Sequence, residues 1–262
     1  MGETAEGRAA RGGVPFRLVL AHLYPDLLNI YGDHGNVLAL ARRAGWRGIE
    51  VEVRPVGIGD AFDPAGADLV CVGGGEDSKQ AAAADDLARR GEALRAAVEG
   101  GLAVLAVCGG YQLLGRYYQP ARGPRLPGAA VLDAHTVAGE RRLVGNVVCD
   151  SATGTLVGFE NHSGRTFLGP GCQPLGRVRP GAGGGNNGED GGEGALWRHC
   201  VGTYLHGSLL PKNPQLADFL LRAALVRRYG EEAAAQALRP LDDAVEWAAH
   251  RAAEGLVPAR RR

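Results

Sequence analysis

The sequence predicts an α/β fold with a mostly parallel central sheet and helices on both faces. Three features carry that prediction. Short β-rich runs alternate with helical stretches from Phe16 to Gly110, the order that builds parallel sheets. The run "LAVLAV" (102–107) is apolar at every position, as a strand covered on both faces must be. And 262 residues at 45% apolar content suffice for one sizeable core or a core with a small appendage.

In chain order, "FRLVLAHL" (16–23) is the first strand and a helix follows from about Asn36 to Ala44. The strands "GIEVEVRPV" (48–56) and "ADLVCVGGG" (67–75) come next, then a helix from about Asp85 to Glu99 and the strand-turn "GLAVLAVCGG" (101–110). From Ala129 the strands shorten: "RRLVGNVVC" (141–149), "GTLVGFEN" (154–161) and "HCVGTYLHG" (199–207) suit an antiparallel extension or a continuing sheet edge. Between them, "PGAGGGNNGEDGGEG" (180–194) has one alanine as its only apolar residue, and such a composition cannot offset its own ordering entropy. It reads as a flexible insertion, so deleting Gly183–Gly192 is expected to be nearly neutral. Helical segments from about Pro214 to Arg228 and Glu231 to Ala253 close the chain. The reading therefore divides the chain into a disordered tail (1–15), one domain (16–254) and a basic tail (255–262).

Charge and cysteine content exclude several classes of function. Lys+Arg and Asp+Glu both total 29, so no net field draws the surface toward nucleic acid or anionic lipid. No stretch approaches the roughly 20 apolar residues that span a bilayer, and "MGETAEGRAARGG" lacks the apolar heart of a secretion signal. The five cysteines are scattered and never form a C-x-x-C pair, which fits neither a disulfide framework nor zinc and implies a reducing cytoplasm.

Chemistry concentrates at "LAVLAVCGGYQLLG" (102–115), where a buried strand ends on Cys108, two glycines ease a turn, and helical spacing resumes. Such a turn is a nucleophile elbow, and a helix N-terminus favours thiolate over thiol. Packing is the competing role, since cysteine is among the most buried residue types. A cysteine nucleophile needs a base. His206, at a strand end before a loop, is the first candidate, followed by His162 in "FENHSGRT" and His34 in "YGDHGN". One strand before the elbow, "VGGGEDSKQ" (72–80) runs into glycines whose N–H groups suit an oxyanion, with Gly74 and Gly109 as the donors. It lacks the spacing of a nucleotide P-loop, and its two acids oppose a triphosphate.

The three-glycine turn, "VCGGYQLLG" and the distant "YLHG" together resemble the class I glutamine amidotransferases. "YPDLLNIYGDHGN", "GERRLVGN", "FENHSGRT" and "GTYLHGSLLPKNP" narrow the resemblance to the cobyric acid synthase-like branch, and within it to the glutaminase subunits of lipid II isoglutaminyl synthase. The likeness spans about Arg17 to Tyr229. It implies a flavodoxin-like α/β sandwich in which Cys108 is the nucleophile on the glutamine amide and His206 its acid/base partner. Arg142 matches the arginine that holds glutamine, with the adjacent Arg141 left open as a register alternative; a guanidinium fork suits an α-carboxylate. The resemblance further implies that ammonia passes to a MurT-like Mur ligase subunit in a heterodimer, which uses ATP and Mg to convert the D-glutamate α-carboxylate of the lipid II stem peptide to D-isoglutamine. No cofactor or metal is expected in this chain. Where triad enzymes of the wider class read His-x-Glu, this chain reads His206-Gly207-Ser208. The orienting acid is thus unassigned among Glu76, Asp77 and Glu160, or is contributed on docking by the synthetase subunit. Two other readings remain open at this stage, glutaminase chemistry for another acceptor such as a corrinoid carboxylate, and a non-catalytic subunit that keeps the fold.

Overall fold

A computed structural model describes residues 16–206 and 209–257. The expected tail at 1–15 and the basic residues beyond Val257 lie outside the described residues.

The first half of the chain alternates strand and helix. It runs β1 (Arg17–Leu23), α1 (His34–Trp46), β2 (Glu50–Val56), β3 (Leu69–Val72), α2 (Asp77–Arg89), α3 (Gly91–Glu99), β4 (Ala103–Val107) and α4 (Gly109–Leu114). The four residues of β3 and the five of β4 are all buried, which their apolar runs required. The expected helix over 85–99 differs from the structure. Helix begins at Asp77 and is broken into two at Arg90, because Gly91 packs against the Ala129 backbone so closely that a Cβ there would meet the Ala129 carbonyl oxygen.

The second half adds β5 (Tyr117–Gln119), β6 (Leu126–Pro127), β7 (Ala134–Ser151), β8 (Gly154–Leu168), β9 (Gly176–Val178), β10 (Gly192–Glu193), β11 (Ala195–Trp197) and β12 (Cys200–Thr203). Helices α5 (Leu209–Lys212), α6 (Pro214–Tyr229), α7 (Glu231–Ala237) and α8 (Ala244–Glu254) follow. One long helix was expected over 231–253. It is two, since Pro240 cannot donate a helical hydrogen bond and lies in the break.

The central sheet has the order β11-β12-β4-β3-β1-β2, parallel throughout except for β11. The direction of winding reverses between β1 and β3, so right-handed crossovers put α1 on one face and α2 and α3 on the other. Helix α6 starts on Pro214, buries Leu216, Leu220, Leu221 and Leu225, and is tied to α1 by Asp218, which accepts hydrogen bonds from the buried Arg43 and Arg47.

Strands 141–149 and 154–161 do not extend this sheet. They belong to the long hairpin β7–β8 in a second sheet, ordered β10-β9-β7-β5-β6 with β8 on β7. Its register slips between Ala138 and Leu143, and it meets the first sheet through two isolated bridges, Phe159 to His206 and Gln173 to Leu196.

The stretch 180–194 is packed rather than loose, contrary to its composition. Asn186 and Glu193 are fully buried. The N–H groups of Gly184 and Gly185 donate to the two oxygens of buried Glu160 at 2.7 and 2.9 Å, the Asn186 carbonyl accepts from Thr166 N, and Tyr111 donates to Asn186 Oδ1. Its glycines answer to geometry. Gly185 has φ +61°, and a Cβ there would lie 2.3 Å from the Gly192 carbonyl oxygen. Deleting Gly183–Gly192 therefore strands Glu160, Thr166 N and the Tyr111 hydroxyl. Each unsatisfied buried group costs about 1–3 kcal/mol, so with three such groups the deletion is expected to remove at least about 3 kcal/mol. In a thermal melt this reads as a fall of roughly 10 °C.

Candidate active site

The site grows from the carboxyl ends of adjacent parallel strands, at the reversal where open α/β sheets bind ligands. The segment after β1 brings Asp33, the turn after β3 brings Gly73, Gly74 and Gly75, the turn after β4 brings Cys108, and the segment after β12 brings His206.

Cys108 has φ +49° and ψ −104°, a conformation that a non-glycine residue holds only under constraint. The constraints are visible: its N–H donates to the Thr203 carbonyl at 2.8 Å, its carbonyl accepts from Gln112 N, and Gly110 N donates to the Gly73 carbonyl. The sharp turn expected from "VCGG" is thus present, and the thiol lines a cavity of about 610 Å³. Gly74 is the hinge of the arrangement. A Cβ on it would lie 2.9 Å from His206 Cε1, 3.2 Å from Asp33 Oδ2 and 3.2 Å from Cys108 Cβ, so these three side chains converge on space that only glycine leaves open.

His206 is fully buried, and its N–H donates to the Phe159 carbonyl at 2.8 Å. Its Nδ1 faces Asp33 Oδ1 at 3.3 Å, while Nε2 has no hydrogen-bond partner among the described residues. Burial works against the imidazolium, but the Asp33 carboxylate and Cys108 outweigh it and raise His206 to about 10. The Asp33 carboxylate thus favours the protonated imidazole beside the thiol.

The carboxylate that meets His206 is Asp33, which is not among the acids weighed from the sequence. It is none of Glu76, Asp77 or Glu160. Glu76 and Asp77 line the cavity, and Asp77 accepts from Tyr118. Glu160 is committed to the 184–185 backbone and lies 3.5 Å from His162. Nor does the acid have to come from another subunit. The signal for it in the sequence is "YGDHGN", in which Asp33 adjoins the candidate His34. His34 itself is exposed and stacks on His22.

Asp33 also changes the oxyanion assignment. Its Oδ2 accepts the Gly74 N–H at 2.7 Å, so that donor is occupied and cannot meet a substrate oxygen. Gly75 lines the cavity, and its nitrogen lies 3.0 Å from where a Gly109 Cβ would sit. Of the glycines in this turn it is therefore Gly75, not Gly74, that faces the cavity.

The β7–β8 hairpin supplies the other wall. At its register slip, Arg142 lines the cavity and donates to both Oδ1 and the carbonyl of Asn161. Arg141 is not among the residues lining the cavity and offers its carbonyl to Arg165. His162 lines the cavity but is structural in its bonding: it is buried, stacks on Tyr204 at 3.5 Å, contacts the Gly164 carbonyl through Nδ1, and is driven toward its neutral form by burial. Behind this wall Glu193 accepts from Thr203 and Tyr204, and burial pushes its carboxyl up to about 7. Among the described residues no cluster of three or more His, Cys, Asp or Glu could hold a metal ion.

The family model for the CobB/CobQ-like glutamine amidotransferase domain matches residues 19–214. The chain is 41% identical over 224 residues to the lipid II isoglutaminyl synthase (glutamine-hydrolyzing) subunit GatD of Streptococcus pneumoniae, covering 84% of this chain and 85% of that one. It is 42% identical over 212 residues to the subunit of the same name from Staphylococcus aureus, covering 80% and 86%. Among solved structures, one described as a glutamine amidotransferase aligns with a TM-score of 0.53 at 19% identity over 79% of this chain and 98% of that one, which bears on the fold alone.

Replacing Asp33 with Asn keeps its shape and removes its charge. Glutaminase kcat is expected to fall about 10²-fold or more; the corresponding change in serine triads costs about 10⁴-fold, and a thiol depends on it less. Without the carboxylate His206 loses its proton at lower pH, so the alkaline limb of the rate profile shifts to lower pH.

Proposed function

The chain belongs to the CobB/CobQ-like glutamine amidotransferase family, and from that membership we propose that it is the glutamine-hydrolysing subunit of a lipid II isoglutaminyl synthase. The observation that carries the chemistry is the convergence of Cys108, His206 and Asp33 over Gly74. In the proposed reaction glutamine enters with its α-carboxylate on Arg142 and its γ-carboxamide at Cys108. The thiolate attacks the amide carbon, and the resulting oxyanion lies against the N–H groups of Gly75 and Gly109. His206 gives its proton to the departing nitrogen, so ammonia leaves and a γ-glutamyl thioester remains. Water then adds to the thioester, with the now neutral imidazole accepting a proton, and glutamate is released with the thiolate and imidazolium restored.

The names of the relatives support a role as one subunit of a larger enzyme. The acceptor of ammonia is proposed to be a MurT-like Mur ligase subunit that holds ATP and Mg and amidates the D-glutamate α-carboxylate of the lipid II stem peptide. No described helix is long and apolar enough to cross a membrane, and a cytoplasmic location is part of the proposal.

The test is ammonia release from L-glutamine by the full chain, alone and with a Mur ligase-type partner. Cys108→Ala is expected to abolish it while leaving the melting temperature within about 2 °C, because only one small group is removed. Arg142→Ala is expected to raise the glutamine KM about tenfold or more with kcat changed far less, the pattern of lost ground-state binding, and Arg141→Ala to resemble the parent. Normal turnover by Cys108→Ala would overturn the proposal.

A further inference from the structure

Tyr31 is a large aromatic side chain left 48% exposed at the mouth of the cavity. Its φ of +55° lies in the left-handed region, which a bulky residue adopts only where its surroundings impose it. Two contacts give the reason. Its ring packs edge to face on His206, with centroids 5.0 Å apart and planes at 71°. Its hydroxyl accepts from Asn161 Nδ2 at 2.7 Å, and the same Asn161 holds Arg142 through its side-chain and main-chain oxygens. Tyr31 and Asp33, two residues apart on one loop, thus grip the imidazole from different sides.

We propose that Tyr31 is a positioning residue that covers His206 and, through Asn161, ties capture of the substrate carboxylate at Arg142 to the placement of the imidazole. This rests on the reading of the cavity as a glutamine site. A carboxylate arriving at Arg142 binds the same guanidinium that holds Asn161 through Nε and Nη2, and so draws it away from Asn161. Its arrival therefore changes the hold on Asn161, and Asn161 holds the Tyr31 hydroxyl. The ring also keeps water from the imidazolium, and its π face or edge sets the field that the cation meets.

The experiment separates ring from hydroxyl. In the full chain, with its partner if turnover requires it, Tyr31→Phe and Tyr31→Ala are compared by kcat, KM and the pH profile of Cys108 alkylation by iodoacetamide without glutamine. Melting curves establish that both variants are folded. Tyr31→Phe keeps the ring, so its alkylation profile is expected to match the parent while the glutamine KM rises about three- to tenfold. Tyr31→Ala is expected to lower kcat about tenfold or more and to displace the alkylation profile by about half a pH unit or more, because the imidazolium that supports the thiolate is opened to water. Parental kcat and alkylation profile in Tyr31→Ala would overturn the proposal. If Tyr31→Ala does not fold, an unchanged KM in Tyr31→Phe overturns it. Failure of the parent to release ammonia from glutamine would instead defeat the proposed function, and the alkylation profiles would still decide whether Tyr31 controls His206.

Discussion

The site depends on one buried carboxylate. Asp33 places one oxygen on the Gly74 N–H and the other against His206 Nδ1, so a single side chain ties the turn after β3 to the segment after β12. Burying an unpaired carboxylate would be costly, and here a backbone donor and an imidazolium both compensate it. The consequences spread outward. The protonated form of His206 is favoured, the Gly74 N–H is taken up, and any side chain at Gly74 is excluded by the three groups around it. The strained backbone of Cys108 is tolerable in this setting because Thr203 and Gln112 bind its peptide groups on either side.

The second sheet completes what the first begins. A parallel sheet offers strand ends and turns, all on one side of a prospective substrate, and the β7–β8 hairpin closes the other side with Arg142, Asn161 and His162. The two sheets meet at the His206 backbone, where Phe159 accepts its N–H, so the hairpin that carries Arg142 into the cavity also fixes His206. The hairpin is itself braced from behind by the 180–194 stretch through Glu160 and Asn186. A segment that looks like filler by composition is therefore part of the support for the cavity wall.

What the sequence by itself determined are the features whose physics is local. Apolar runs at 69–72 and 103–107 are strands because they need cover on both faces, "VCGG" marks a sharp turn, though the left-handed backbone falls on Cys108 and the glycines serve close approach by Gln80, Val72 and Gly73, and Cys108 and His206 are recognisable from residue type at strand ends. Arg142 was readable to within one residue, and only its position at the register slip separated it from Arg141. The tertiary structure decided the rest. Asp33 and His206 are 173 residues apart and meet only because strand order carries the ends of β1 and β12 to one crevice, so no local pattern could assign the acid. The fold also commits the Gly74 N–H to Asp33 and leaves Gly75 lining the cavity. The helix break at Gly91 and the order of 180–194 were likewise invisible. A glycine demanded by close packing and one that merely loosens the chain are the same letter, and only the neighbours brought there by the fold distinguish them.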